Sequence, residues 1–274
     1  MSMALGCWID GARADDLPAD DRGLQYGDGL FETVLVRAGR ARFLEAHLAR
    51  LSLGCTRLKI PFAAMPELRA EIATAILQAP SIAVLKIIVT RGSATRRGYA
   101  PQGTETPRRL LTLWPAAALP VADGTTLNIA TLRLAAQPAL AGIKHLNRLE
   151  NVLAAAESAA AGAFEALLLD ASGHVISCAS SNLFAVRSGR VVTPRVDLCG
   201  VAGVMRAVVL RECAALGISA SEDRLTLEQL LAADEAFITN ARIGVVPVRR
   251  VGEHSYRMDH AAQRLKTHIE ALDA

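Results

Sequence analysis

At 274 residues, with 51% hydrophobic and 21% charged side chains and a formal net charge of +3, the chain can bury one large core or two small ones. The charge is too small and too scattered for a nucleic-acid binder: arginines come in pairs (Arg96-Arg97, Arg108-Arg109, Arg249-Arg250), with few aromatics to stack bases. Five dispersed cysteines without a CxxC pair argue against a disulfide framework or a metal site, and no apolar run suits a bilayer or a secretory leader, so a cytoplasmic protein with reduced thiols is expected.

Trp8-Ile9-Asp10-Gly11 predicts a strand entering a tight turn. Leu30 to Val36 predicts a second strand, ended by Ala38-Gly39-Arg40. Leu48, Leu51 and Cys55 mark an amphipathic helix over 45–58, and a further helix is expected from Pro66 to Leu77. Ile82 to Thr90 and Arg109 to Trp114 read as strands, the first so apolar that burial on both faces is expected. Pro115 to Gly124, with two prolines, a run of alanines and Asp-Gly, reads as a linker. The expected domains are therefore 1–114 and 125–274, with 115–124 between them.

Beyond it, a strand is expected from Thr126 to Leu132, then a loop carrying Lys144. Asn147 with Glu150 three residues on reads as a variant capping box. Leu149, Val152, Leu153, Ala156 and Ala160 recur at helical spacing as the inner face of the helix, which Gly162 stops. Short strands follow at Ala166–Leu169, Val175–Ile176, Leu183–Val186 and Val191–Thr193, with hairpin turns at Asp170-Ala171-Ser172-Gly173 and Ser188-Gly189. Helices are expected at Val204–Leu216 and Leu227–Leu231, strands at Glu235–Thr239 and Val245–Val248, and a last helix from His260. Strands in runs with helices between them argue for α+β in two domains.

Four segments carry chemistry. Lys144 stands at a loop-to-helix junction, where partial desolvation prepares an amine to attack a carbonyl; taken alone, it would be read as one more solvated surface lysine. Arg50, in His47-Leu48-Ala49-Arg50-Leu51, can present a guanidinium to a phosphate, or simply be an exposed helix arginine. Gly200-Val201-Ala202-Gly203-Val204-Met205-Arg206 opens a helix, whose first amides suit an anion. Thr239-Asn240-Ala241 ends a strand and can add a third phosphate contact. With no dinucleotide or P-loop signature, a lysine nucleophile beside a monophosphate cradle points to pyridoxal 5′-phosphate.

These pieces stand in a recognisable order. Asp21-Arg22-Gly23-Leu24-Gln25-Tyr26-Gly27-Asp28-Gly29-Leu30-Phe31-Glu32, then Lys144, Ser181-Asn182-Leu183-Phe184, Val191-Val192-Thr193, Val201 to Arg206 and Val245-Val246-Pro247-Val248 together resemble the fold-type IV pyridoxal-phosphate enzymes. That family comprises branched-chain and D-amino-acid aminotransferases and aminodeoxychorismate lyase. The resemblance implies a smaller N-terminal α/β domain, a larger C-terminal domain with a barrel-like β core carrying the lysine, and a homodimer. It implies that Lys144 bonds the cofactor, that Arg50 is a phosphate ligand, and that Val204 and Met205 offer backbone amides with Asn240 nearby. Lys144-His-Leu-Asn-Arg-Leu-Glu and the loop Thr90 to Tyr99 are most similar to the aminodeoxychorismate lyase branch, which implies aminodeoxychorismate as small-molecule substrate, with Tyr26 and Arg97, or second to it Arg96, near the substrate, the plain alternative for these arginines being solvated loop charges.

One position departs from the pattern. Where the family's Glu-x-x-x-x-Asn-x-Phe places a glutamate against the pyridine nitrogen, this chain has Ser177. A hydroxyl can hydrogen-bond that nitrogen but brings no charge to keep it protonated. A weaker electron sink costs a transaminase more than a lyase whose product becomes aromatic, so the expected activity is the lyase. A D-amino-acid or branched-chain aminotransferase, and a cofactor-impaired non-catalytic homologue, are the alternatives.

Overall fold

The computed structural model describes residues 3–14, 16–117, 124–256 and 260–272. Positions 118–123 of the expected linker lie outside them.

The Asp10-Gly11 turn joins β1 (Gly6–Ile9) to β2 (Ala12–Arg13). Both turn residues have positive φ, 51° and 84°, the twist that a two-residue antiparallel hairpin needs. A short helix that the periodicity does not reveal, α1 (Arg22–Tyr26), is capped by the Asp21 carboxylate and closed by Gly27. β3 (Gly29–Arg37) turns into β4 (Arg40–Ala41). Next, α2 (Leu44–Leu58) lays its buried face on β3. After α3 (Met65–Ile76) come β5 (Ile82–Thr90) and β6 (Arg108–Pro115). The resulting antiparallel sheet has the order β2-β1-β6-β5-β3-β4. β5 alternates buried and half-buried residues instead of burying both faces, as an antiparallel sheet with a single packed face does.

In the second half, β7 (Thr125–Leu134), α4 (Leu149–Ala160) and β8 (Glu165–Asp170) form a parallel crossover. β9 (His174–Cys178), β10 (Asn182–Arg187) and β11 (Arg190–Pro194) follow as hairpins. Then come α5 (Val204–Ala215), β12 (Ala220–Asp223), β13 (Leu225–Thr226) and α6 (Leu227–Leu231). The chain ends with β14 (Glu235–Asn240), β15 (Gly244–Val251), β16 (His254–Ser255) and α7 (His260–Ala271). The mixed sheet runs β12-β11-β10-β14-β15-β7-β8-β9-β13, and β9 returns beside β10 and β11, which curls it into a barrel-like core. Leu167, Leu183, Ile238 and Val246 fill its inside. On its other face Ala130, Leu168 and Ile176 pack under Ala154 of α4.

The α4 helix corrects two expectations. Arg148, not Asn147, is its N-cap, and no side chain caps it. The Asn147 carboxamide donates instead to the Gly27 carbonyl (3.2 Å), and Glu150 accepts from the Ala135 amide (2.9 Å). The stripe expected to face inward faces out: Leu149, Val152 and Leu153 are 77%, 60% and 56% exposed, while Ala154 and Ser158 are buried. Small residues let the helix axis approach β7 and β8, so the larger apolar side chains have no room on that side.

The chain divides into two compact units: Met1–Ala118 with Ile143–Asn147, and Leu119–Gly142 with Arg148–Ala274. Lys144 thus packs with the first unit, although the expected domain 125–274 contained it. Among the described residues, no helix is long and apolar enough to cross a membrane, and no group of ligating side chains could hold a metal.

Candidate active site

In the first unit, Lys144 is held by its backbone. Its carbonyl accepts from the Phe31 amide (2.9 Å) and the Leu146 amide donates to Gly29 (3.0 Å), so residues 144–146 pair with β3 like a short added strand, with Leu30 opposite His145. This needs glycine at 29: a Cβ there would come within 2.5 Å of the Val89 carbonyl and 2.8 Å of the Leu146 side chain. The half-buried Lys144 sets Nζ 4.2 Å from the Phe31 ring centroid, a ring that also takes Lys86 Nζ at 5.5 Å. An ammonium over a ring face is attracted by its quadrupole.

The next residue of β3 engages Arg50. Arg50 Nε and Nη2 donate to the two oxygens of Glu32 (2.8 and 2.5 Å), and His47 Nδ1 lies 2.6 Å from Oε2. The two-pronged edge expected to grip a phosphate is therefore on Glu32. Burial works to raise the Glu32 carboxyl, but hydrogen bonds from His47 and Arg50 outweigh it and hold the group below the ordinary carboxylate value.

In the second unit the glycine loop, the Asn182 strand and the Asn240 strand come together. Gly203 is the N-cap of α5 and offers no side chain to its first turn, so the amides of Val204 and Met205 have no intrahelical acceptor. A Cβ at Gly203 would run into Oδ1 of Asn182, whose Nδ2 donates to the Val201 carbonyl (2.9 Å). Asn182 pairs with Thr239 across β10 and β14. Asn240 donates to the Ser181 hydroxyl (3.0 Å) and accepts from the amides of Arg242 and Ile243. Its side chain thus holds the turn.

Ser177 lies on β9 opposite Leu168, 7% exposed, and its hydroxyl makes no hydrogen bond among the described residues. The buried acid of this region is Glu165 on β8, which accepts from the hydroxyls of Ser180 and Ser181. Burial, stronger than these bonds, pushes its carboxyl above the ordinary value. Sequence reasoning missed Glu165, as it missed Glu32 and His47. A lone acid inside or at the start of an apolar strand, and a histidine one helical turn before the arginine, were the available signals.

Arg97 is exposed on the 93–105 loop. The loop is pinned from α1: Arg22 donates to the carbonyls of Gly98 (3.1 Å) and Tyr99 (2.5 Å) and to Asp28 (2.9 Å). Tyr26 packs edge-on against Tyr99, with the Arg22 guanidinium 5.0 Å from its ring centroid. The buried cysteines, Cys55, Cys178, Cys199 and Cys213, are poor alternative nucleophiles. None is disulfide-bonded, and burial pushes Cys55 up to about 12 and Cys199 and Cys213 up to about 11.

Each unit by itself carries donors of the kind that pyridoxal phosphate needs: an amine and a guanidinium in the first, Lys144 and Arg50, and in the second the helix-start amides of α5. Residues 29–251 match the family model for amino-transferase class IV. The chain is 36% identical to an aminodeoxychorismate lyase from Vibrio harveyi, covering 96% of this chain and 97% of that one. It is 30% identical to a putative branched-chain-amino-acid aminotransferase from Methanocaldococcus jannaschii over 90% of both. A crystal structure of 4-amino-4-deoxychorismate lyase from Pseudomonas aeruginosa superposes with a TM-score of 0.91 at 44% identity, covering 97% of this chain and 98% of that one. The chain belongs to the class IV aminotransferase family, with that family's α+β fold.

Proposed function

We propose that the chain is a 4-amino-4-deoxychorismate lyase, which eliminates pyruvate from its substrate to leave 4-aminobenzoate for folate synthesis. The observation that carries this reading is the backbone-locked lysine, Lys144, in a chain similar over nearly its whole length to two aminodeoxychorismate lyases.

When bound, pyridoxal phosphate supplies an aldehyde for the substrate amine and a ring that accepts electrons. Lys144 is the residue that would hold the cofactor covalently. By the family resemblance, Arg50 and the amides of Val204 and Met205 would be the phosphate's ligands, and Asn240 would shape the turn of its own unit. As a neutral amine, Lys144 Nζ would be the base that removes the proton from the amine-bearing ring carbon of the substrate. It then delivers a proton to the methylene carbon of the departing enolpyruvate. Arg97 and Tyr26 are the residues assigned to the substrate.

Ser177 favours the lyase over a transaminase. Its hydroxyl would face the pyridine nitrogen without supplying a charge, and the aromaticity of 4-aminobenzoate would offset the weaker sink. The likeness to an aminotransferase keeps a D-amino-acid or branched-chain aminotransferase as the second reading. We also read the protein as a cytoplasmic homodimer. The support is the family resemblance and five unbridged cysteines.

The test is a product assay on the purified protein. Fluorescent 4-aminobenzoate from aminodeoxychorismate, abolished together with the borohydride-reducible visible band in Lys144→Ala, is the expected result. Amino transfer to 2-oxoglutarate instead would establish the aminotransferase. Neither product nor band would make this a non-catalytic homologue.

A further inference from the structure

One charge is buried under α2 in an otherwise apolar layer. The inward positions of β3 run Leu30, Glu32, Val34, exposed by 1%, 1% and 0%, and their partners Val89, Ile87 and Leu85 on β5 are as deeply buried. A carboxylate at such a place is costly unless fully paired, and a well-packed apolar trio of the same volume is commonly as stable or more so. Stability therefore gives no reason for Glu32.

The pairing itself is directional. His47 and Arg50 stand one helical turn apart on α2, so both reach the same strand position. Glu32 Oε1 accepts from Arg50 Nε, while Oε2 accepts from Arg50 Nη2 and meets His47 Nδ1. A planar fork held at two points cannot rotate about its long axis. At 12% side-chain exposure Arg50 is the one member of the trio that is not fully buried. Nε2 of His47 is buried without a hydrogen-bond partner, so the ring leaves one nitrogen unsatisfied while the other serves the carboxylate.

We infer that Glu32, with His47 behind it, is a positioning residue that holds the Arg50 guanidinium in a single orientation for the phosphate ester of the cofactor. This rests on the reading of Arg50 as a phosphate ligand. Charge and position make opposite predictions here. On charge alone, removing Glu32 leaves Arg50 a stronger partner for a phosphate dianion. On position, it releases a long side chain that must then be ordered at each binding event.

The experiment compares the affinity of the full-length protein, freed of cofactor by dialysis, for pyridoxal phosphate and for pyridoxal, which lacks the phosphate. Glu32→Gln is expected to weaken pyridoxal phosphate about tenfold, the loss of roughly one well-oriented charge-assisted hydrogen bond. Binding of pyridoxal should hold within about twofold, because general destabilisation moves both ligands together whereas a phosphate-specific effect moves one. Arg50→Ala is expected to lower the preference by at least as much as Glu32→Gln, the rest being carried by the amides of Val204 and Met205, with no further loss in the double variant. If Arg50→Ala lowers the preference and Glu32→Gln leaves it unchanged or raises it, the positioning role is wrong. If Arg50→Ala itself changes nothing, the phosphate assignment falls first. Should Glu32→Gln not fold, His47→Asn is expected to lower the same ratio by a smaller factor, and an unchanged ratio overturns the inference.

Discussion

Lys144 sets its ammonium 4.2 Å from the centre of the Phe31 ring, while its carbonyl takes the Phe31 amide at 2.9 Å. One residue thus holds both ends of the lysine. The backbone bond places the segment and the ring places the head group. Phe31→Leu keeps the first and removes the second. It is expected to lower stability by about 0.5–1 kcal/mol in a thermal or denaturant melt. Hydrogen exchange at the Phe31 amide should keep its protection; losing it would mean that the ring, not the strand pairing, positions the segment.

Gly203 is the second point where geometry is tight. An added methyl would strike the Asn182 carboxamide, which is tied to the Val201 carbonyl, so the loop before α5 must shift. Gly203→Ala is expected to cost about 1–3 kcal/mol, as overpacking does. The variant should also purify with less bound cofactor, read from its visible absorbance per chain. Parental stability together with full cofactor content would show that the helix start tolerates the shift.

Glu165 gives a pH dependence with a definite sign. Burial raises its carboxyl, so the folded state prefers the protonated form. The cost of ionising it is absent below the unfolded carboxyl range of about 4.3, and grows as pH rises from there through the folded value. Glu165→Gln mimics the protonated form. Its melting temperature relative to the parent is expected to rise between pH 4 and pH 8. A flat difference across that range would show the native carboxyl to be unshifted.

Arg22 ties the arginine-bearing loop to α1 through the Gly98 and Tyr99 carbonyls. Because Asp28 also accepts from Arg91 at 2.7 Å, losing Arg22 does not strand a buried charge. Arg22→Ala should therefore cost only about 1–3 kcal/mol, yet trypsin should cut at Arg96 and Arg97 several-fold faster than in the parent. Equal cleavage rates would mean that the loop is ordered by other contacts, such as the Glu105 carboxylate on the amides of Gln102 and Gly103.

Much of the architecture was legible in the chain. Asp10-Gly11, Ala38-Gly39 and Ser188-Gly189 announce their turns because few residues reach positive φ, and the strands from Leu30 to Val248 announce themselves by apolar runs. Less legible was α4. Alanine-rich helices carry two plausible inner stripes, and periodicity cannot say which one meets a sheet. Candidate site residues were legible one by one, through a lysine before a helix and glycines opening another. Their partners were not: Glu32 reads as a stray charge in a strand until α2 is laid across it.

By itself, then, the sequence determined the α+β class, most of the longer strands and helices, and the family, and it singled out Lys144 as a candidate, since local periodicity, turn chemistry and motif order are properties of neighbours along the chain. Only the tertiary structure decided that 144–146 pair with β3, that Arg50 spends its two-pronged edge on Glu32, and that Asn240 donates to Ser181. These are contacts between residues far apart in sequence. Which donor meets which acceptor depends on how elements pack, and side-chain chemistry along the chain carries no record of that.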